Sequence, residues 1–277
     1  MAHEVSEAAE QLLDKEFKVL DKGFVRLVDY MGGDQRIVQS ARVSYGRGTK
    51  SVRQDRGLIN YLLKHQHTSP FEQVILTFHC KMPIFVARQW VRHRTARINE
   101  ISGRYSVMEK EFYLPPKDQI RFQNEDNRQG RSQEEVPAKL QQKVLNLLLQ
   151  ANDRTYKDYE HLLDDNIARE LARINLPLSL YTQWYWQIDL HNLFHFLKLR
   201  LDYHAQWEIQ EYGKVIAEMT KSVAPMAYEA FEKHIVNAVT FSGEELAALK
   251  AKLSNQDHRL KGLIKTEFEK KIEKILK

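Results

Sequence analysis

The segment Trp184-Tyr-Trp-Gln-Ile-Asp-Leu190 limits the folds open to this chain more than any other. In an extended strand, successive side chains point to opposite faces, so Trp184, Trp186, Ile188 and Leu190 share one face while Tyr185, Gln187 and Asp189 share the other. Two indoles and two aliphatics on one side require a second layer to cover them. The opposite face is amphipathic and open to a ligand. Val74-Ile-Leu-Thr-Phe-His-Cys-Lys81 is also β-branched and aromatic and reads as a strand. Pro83 ends it and suits the first turn of a helix expected over Pro83 to Arg94. Gly23 to Asp29 is a further strand candidate.

Helical spacing accounts for most of the remaining chain. Ile37, Val38 and Ala41 repeat at i, i+3, i+4, as do Leu58, Ile59, Leu62 and Leu63. Leu140 through Leu163 marks a long helix, which a turn from Ile167 extends until Pro177 stops it. Further helices are predicted at Asn192–Leu201, Ala205–Val223 and Met226–Val236, and a short amphipathic one at Ala2–Lys18. Lys117 to Pro137 is polar and aperiodic and reads as a surface loop. From Ser242 the chain is Lys- and Glu-rich with Leu246, Leu249 and Leu253 at helical spacing. The expected class is α+β: one domain with a central β-sheet flanked by helices, over residues 17–238. Helical extensions are expected at 1–16 and 239–277. No G-x-G-x-x-G follows a strand, so the fold is not a Rossmann fold.

The only cysteine, Cys80, cannot close an internal disulfide, which points to a reducing compartment. The N-terminus carries acids where a signal peptide would be basic, and no apolar run spans a bilayer. These features predict a soluble cytoplasmic protein. The formal charge of +5 tolerates an anionic ligand without demanding nucleic acid.

The unusual chemistry lies in Arg88 to Ser106, where Arg88, Arg92, Arg94, Arg97 and Arg104 accompany His93 and Glu100. If the helix runs to Arg94, Arg88 and Arg92 stack at i, i+4, a like-charge pair that needs an acid or an anion nearby. Consecutive helical positions fan out by roughly 100°, so Arg92, His93 and Arg94 would not all face one small ligand. They suit a junction of two ligands or two subunits. Ile98 to Ser106 reads as a loop whose N–H groups and Ser102 hydroxyl could join a guanidinium cradle for phosphate. A solvated basic helix end is the competing reading.

Arg92-His93-Arg94, seven residues, then Ser102 is similar to the RHR-x7-S signature of the flavin-dependent thymidylate synthases (ThyX). Asn99-Glu100 and Arg104-Tyr105-Ser106 extend the likeness, which runs from about Phe17 to Val236 through DKGFVRLVDYMG, LLKHQHTSPFE, KMPIFVARQWVRHR, ARINLPLSLYT, HNLFHFLKLR and HAQWEIQEY. Arg97 stands where some members carry Ser. Both terminal extensions and much of the polar loop fall outside the resemblance.

The resemblance implies a homotetramer binding FAD at subunit boundaries. Its reaction would methylate dUMP to dTMP, with 5,10-methylenetetrahydrofolate as carbon donor and NADPH as reductant. By the same likeness Arg92, His93, Arg94, His67 and Ser69 would contact FAD, with Glu100 reaching in from another subunit. Asp189, Leu190, His191 and His195 match a second flavin-contacting segment. The nucleotide would meet Gln89, Trp90, Val91 and Arg92, then Glu100, Ile101, Ser102, Gly103 and Arg104, together with Arg173 and Arg200.

The resemblance assigns Arg200 the activating role, in which its planar fork would stabilise an N3-deprotonated uracil and push electron density toward C5. Cys80, a lone mid-strand cysteine, suits a buried apolar role rather than a nucleophile. Ser102 lacks an adjacent base and reads as a positioning hydroxyl.

Other readings are weaker. His191 and His195 sit at i, i+4, but Asn192 stands where a zincin needs Glu, so no metal is expected. Gly46-Arg-Gly-Thr-Lys-Ser51 lacks the Gly-Lys-Ser/Thr run of a phosphate loop. The rival from another class is a single-stranded RNA-binding module, with Trp90, Tyr105, Trp184 and Trp186 stacking bases among the arginines.

Overall fold

Five antiparallel strands in the order β1-β2-β3-β7-β4 form the central sheet of the computed structural model. It describes residues 4–43, 52–125, 129–257 and 259–276. The chain runs α1 (Glu7–Glu10), β1 (Glu16–Val19), β2 (Gly23–Met31), α2 (Asp34–Arg42), α3 (Val52–Lys64), β3 (Ile75–Pro83), α4 (Ile84–Trp90) and β4 (Arg97–Glu100). A separate hairpin follows, β5 (Arg121–Gln123) with β6 (Arg131–Glu135), before α5 (Ala138–Asp164) and α6 (Arg169–Ala172). Then come β7 (Tyr181–Asp189), α7 (Leu190–Arg200), α8 (Trp207–Val223) and α9 (Pro225–Phe231). This is the α+β class that the sequence predicts.

The alternation in β7 is realised. Register sets Leu76 opposite Ile188, Phe78 opposite Trp186 and Cys80 opposite Trp184, so the inner face is one apolar stripe, fully buried apart from traces of Trp184 and Ile188. Trp90 of α4 stands nearly perpendicular to Trp184 and Trp186, with ring centroids 5.6 and 5.1 Å away, and Phe196 and Tyr212 complete the cluster. Each buried indole removes roughly 200 Å² from water, on the order of 5 kcal/mol before entropy is counted. The outer face is partly exposed, with Tyr185 open to solvent and Gln187 and Asp189 half-buried, and its side chains are engaged within the sheet. Tyr185 stacks on His79 at 4.7 Å, the Gln187 amide donates to Thr77 Oγ1, and Asp189 caps α7.

Local expectations fail where tertiary pairing overrides pattern. The N-terminal helix stops after α1, because Asp14 adopts a left-handed φ of 58° and its N–H bonds to the Leu27 carbonyl, feeding the chain into β1. Ile98 to Ser106 is not all loop: Arg97 to Glu100 pair with Gln187 to Trp184 as the edge strand β4, although all four residues are exposed. The polar stretch from Lys117 contains the β5–β6 hairpin, whose residues carry no apolar alternation to betray it. Beyond α5, Asn166 at φ 59° breaks the helix before α6. The expected Met226–Val236 helix becomes α9 followed by a π-helical turn at Glu232–Val236. Residues 46–51 lie outside the described residues.

The chain divides into two units after Phe231. The second contains α10 (Gly243–Leu253), opened by a Ser242/Glu245 capping box, and α11 (Gly262–Leu276), with Ala248, Phe268 and Ile272 as its core. Among the described residues no helix is long and apolar enough to cross a membrane.

Candidate active site

With Trp90 locked in the core, α4 ends with Val91 as its C-cap, and the His93 N–H turns back to the Trp90 carbonyl at 3.0 Å. The helix expected to reach Arg94 is therefore shorter, and Arg88 and Arg92 do not stack on it. Freed from helical fanning, Arg92, His93 and Arg94 line one cleft of about 400 Å³. Its other wall is α7, where Asn192, His195 and Leu199 recur at i, i+3, i+7 on the face that ends in Arg200.

Arg200 is held from two directions. Its Nε donates to His93 Nε2 at 3.1 Å, and its Nη2 donates to the Gln89 carbonyl at 3.4 Å. A guanidinium has no acceptor, so His93 must be a neutral imidazole carrying its proton on Nδ1. Burial, then the charges of Arg200 and His195, push His93 down from 6.5 to about 4. Burial also lowers Arg200, but an arginine stays cationic. Among the described residues no carboxylate reaches Arg92, Arg94 or Arg200 within ion-pair distance.

A second cleft of about 300 Å³ includes Glu100, Ile101, Gly103, Arg173, Met108 and Thr182 among its walls, and shares no lining residue with the first. Here the lining carries both signs, Glu100 and Glu170 beside Arg173. The Thr182 hydroxyl donates to Glu100 Oε1 at 2.5 Å, and Arg104 Nε lies 2.9 Å from Glu170 Oε2. The Ser102 carbonyl accepts the N–H groups of Tyr105 and Ser106, and Ser102 Oγ accepts that of Arg104, so this segment is a tight turn. Gly103 allows a close approach: a Cβ there would lie 3.0 Å from Met108 Sδ and 3.1 Å from Arg173 Cδ.

The remaining sequence-predicted residues fall elsewhere. His67 and Ser69 are exposed in the turn after α3 and line neither cleft, His67 lying nearly parallel to the Tyr61 ring at 6.1 Å. Asp189 accepts from the backbone and side-chain amides of Asn192 as the cap of α7. Leu190 and Trp90 are fully buried, while His191 and Gln89 are half-buried. Val91 is partly exposed.

Sequence reasoning missed Thr95, Asn192, Thr182, Met108 and Glu170. Helical spacing from His195 could have found Asn192, whereas nothing local marks the others. Cys80 faces neither cleft. It is fully buried between Val25 and Trp184, and burial pushes its thiol well up. A shallow groove of about 780 Å³ along Leu140 and Leu147 of α5 holds none of the predicted residues.

Residues 26–226 match the family described as thymidylate synthase complementing protein, and residues 239–275 match the ThyX C-terminal domain. The tail that the sequence reading set outside the resemblance thus has a family model of its own. The chain is 62% identical to a flavin-dependent thymidylate synthase of Treponema denticola, covering 94% of this chain and 98% of that one. A flavin-dependent thymidylate synthase of Treponema pallidum is 56% identical, with 98% and 89% covered. Among solved structures it resembles the UMP/dUMP methylase PolB of Streptomyces cacaoi bound with 5-bromo-dUMP. That match has a TM-score of 0.72 at 31% identity, over 79% of this chain and 98% of that one.

Proposed function

Because the chain belongs to the flavin-dependent thymidylate synthase family, whose members are FAD-dependent methyltransferases, we propose that it converts dUMP to dTMP. In this reading 5,10-methylenetetrahydrofolate gives the carbon and NADPH the reducing equivalents. The observation that carries it is the cationic cleft with Arg200 fixed at its edge by neutral His93 and the Gln89 carbonyl.

The donor set fits FAD. Arg92, Arg94, Asn192 and His195 supply cationic and neutral donors around a space large enough for part of a dinucleotide. They, with His93, are the residues that would hold it. His67, Ser69, Asp189, Leu190, His191 and a neighbouring chain's Glu100 are assigned by the family likeness. Bound flavin supplies the electron transfer that no side chain can.

Methylation at C5 needs an electron-rich pyrimidine. Arg200 commits two of its N–H donors inside the protein and keeps the rest for the negative charge that grows on the uracil ring in the transition state. Its orientation is set before the nucleotide arrives, so little reorganisation is needed. The buried, high-pKa thiol of Cys80 supports a route without a cysteine nucleophile.

Arg92 and Arg200 line the first cleft, with Gln89 bonded to Arg200, while Glu100, Ile101, Gly103 and Arg173 line the second; Trp90, Val91, Ser102 and Arg104 are assigned to the nucleotide by the family likeness. A homotetramer whose chains share the nucleotide site is carried over from the family likeness. The RNA-binding alternative needs several exposed aromatics, but Trp90, Trp184 and Trp186 are at most 1% exposed, leaving Tyr105 alone of the four on the surface.

The test is reconstitution with FAD followed by assay of dTMP formation, omitting dUMP, the folate and NADPH in turn. Each omission should abolish product. Colourless protein that refuses FAD yet binds single-stranded RNA with steep salt dependence would overturn the reading.

A further inference from the structure

We infer that Glu208, acting through Gln206, fixes which end of the Gln89 amide faces the nucleotide. The pair would then position the dUMP site without touching the ligand. The inference rests on the reading above, in which Gln89 serves dUMP.

Glu208 lies in the first turn of α8 and is fully buried. A buried carboxylate is tolerated only when its oxygens are satisfied. Here Tyr113 Oη donates at 2.9 Å, Gln206 Nε2 at 2.8 Å, and Arg131 Nη2 reaches the same oxygen as Tyr113. A carboxylate offers acceptors only, so Gln206 must turn its NH2 toward Glu208 and its carbonyl oxygen away. That oxygen accepts from Gln89 Nε2.

One amide hydrogen of Gln89 is thereby committed, leaving its carbonyl oxygen and second hydrogen as what it can offer a nucleotide. The backbone of the same residue holds Arg200, so the relay ends beside the activating group. Gln206 precedes α8, yet its side chain makes no capping hydrogen bond. Helix capping therefore does not account for a glutamine at this position. Arg131 comes from β6, inside the stretch that reads as featureless loop in the sequence.

The decisive experiment measures dUMP affinity on the FAD-loaded enzyme, with the thermal midpoint recorded alongside. Glu208→Gln keeps the shape and an acceptor for Tyr113 and Arg131, but its new NH2 can face Gln206 and reverse the relay. It should weaken dUMP about tenfold, the effect of one misdirected hydrogen bond, while FAD remains bound. The double variant Gln206→Glu/Glu208→Gln again supplies an acceptor to Gln89 Nε2 and should bring affinity back to within about threefold of wild type.

A purely structural role would not be rescued by the exchange. Unchanged affinity in Glu208→Gln, or a folded double variant no better than the single one, overturns the inference. If Glu208→Gln does not fold, Gln206→Met removes the relay while leaving Tyr113 and Arg131 on Glu208. The same tenfold loss is expected there, and wild-type affinity overturns the inference. Wild-type enzyme that holds FAD but never binds dUMP defeats the functional reading itself, a result distinct from any variant outcome.

Discussion

The two clefts differ in the charges that line them, cationic side chains without a carboxylate in the first and both signs in the second. Around Arg92, Arg94 and Arg200 the cations have no carboxylate partners among the described residues, and the neighbouring His93 is kept neutral. Around the second cleft both signs are present: Glu100 and Glu170 line it beside Arg173, the Thr182 hydroxyl donates to Glu100, and Glu170 pairs with Arg104 outside the lining. The first lining leaves positive potential for an anion to neutralise. The second leaves shape and directed hydrogen bonds. In the proposed function, activation of the uracil falls to the first and nucleotide positioning to the second.

That division is open to attack. Arg200→Lys keeps a charge but loses the fork that reaches both His93 and the Gln89 carbonyl. It should cut kcat for dTMP formation by roughly 100- to 1,000-fold with the flavin absorbance intact, and near-normal turnover would remove the activating role. Gly103→Ala attacks the second cleft. Its Cβ meets Met108 and Arg173 at about 3 Å, so Arg173 must shift, and KM for dUMP should rise about tenfold with kcat moved far less. A loss confined to kcat would contradict a positioning role.

The neutral histidine gives a pH signature. Because His93 is pushed down to about 4 from 6.5, its contribution to stability is fully present above about pH 6.5. It is lost as pH falls through about 4. Urea titrations of wild type and His93→Gln should diverge over that window by up to about 3 kcal/mol, with wild type losing more on acidification. Parallel pH profiles would mean that the imidazole is not held neutral. The smallest effect belongs to Cys80, outside both clefts. Cys80→Ala should leave turnover within about twofold and cost on the order of 1 kcal/mol of stability. Abolished methylation in folded enzyme would reopen a cysteine route.

The core was legible in the chain. Alternation in β7 announced its buried face, i, i+3, i+4 repeats announced α2 and α3, and apolar spacing from Leu140 to Leu163 announced α5, because those signals are local consequences of strand and helix geometry. The chemistry was legible as a resemblance, through the spacing of Arg92-His93-Arg94 and Ser102. What stayed hidden were elements with no apolar signature. β4 is exposed along its whole length and exists because β7 offers it a pairing edge. β5 and β6 pair through polar residues in the same way.

The strands β2, β3 and β7 and the helices with apolar spacing were thus legible in the sequence alone, since each depends on residues near one another in the chain. Only the fold decided that Arg92, His93 and Arg94 would share one wall. The same holds for Arg200, which comes from more than a hundred positions away to fix the state of His93. The reason is burial: desolvation and a neighbouring guanidinium act through space, and no local pattern records which distant groups will be brought into contact.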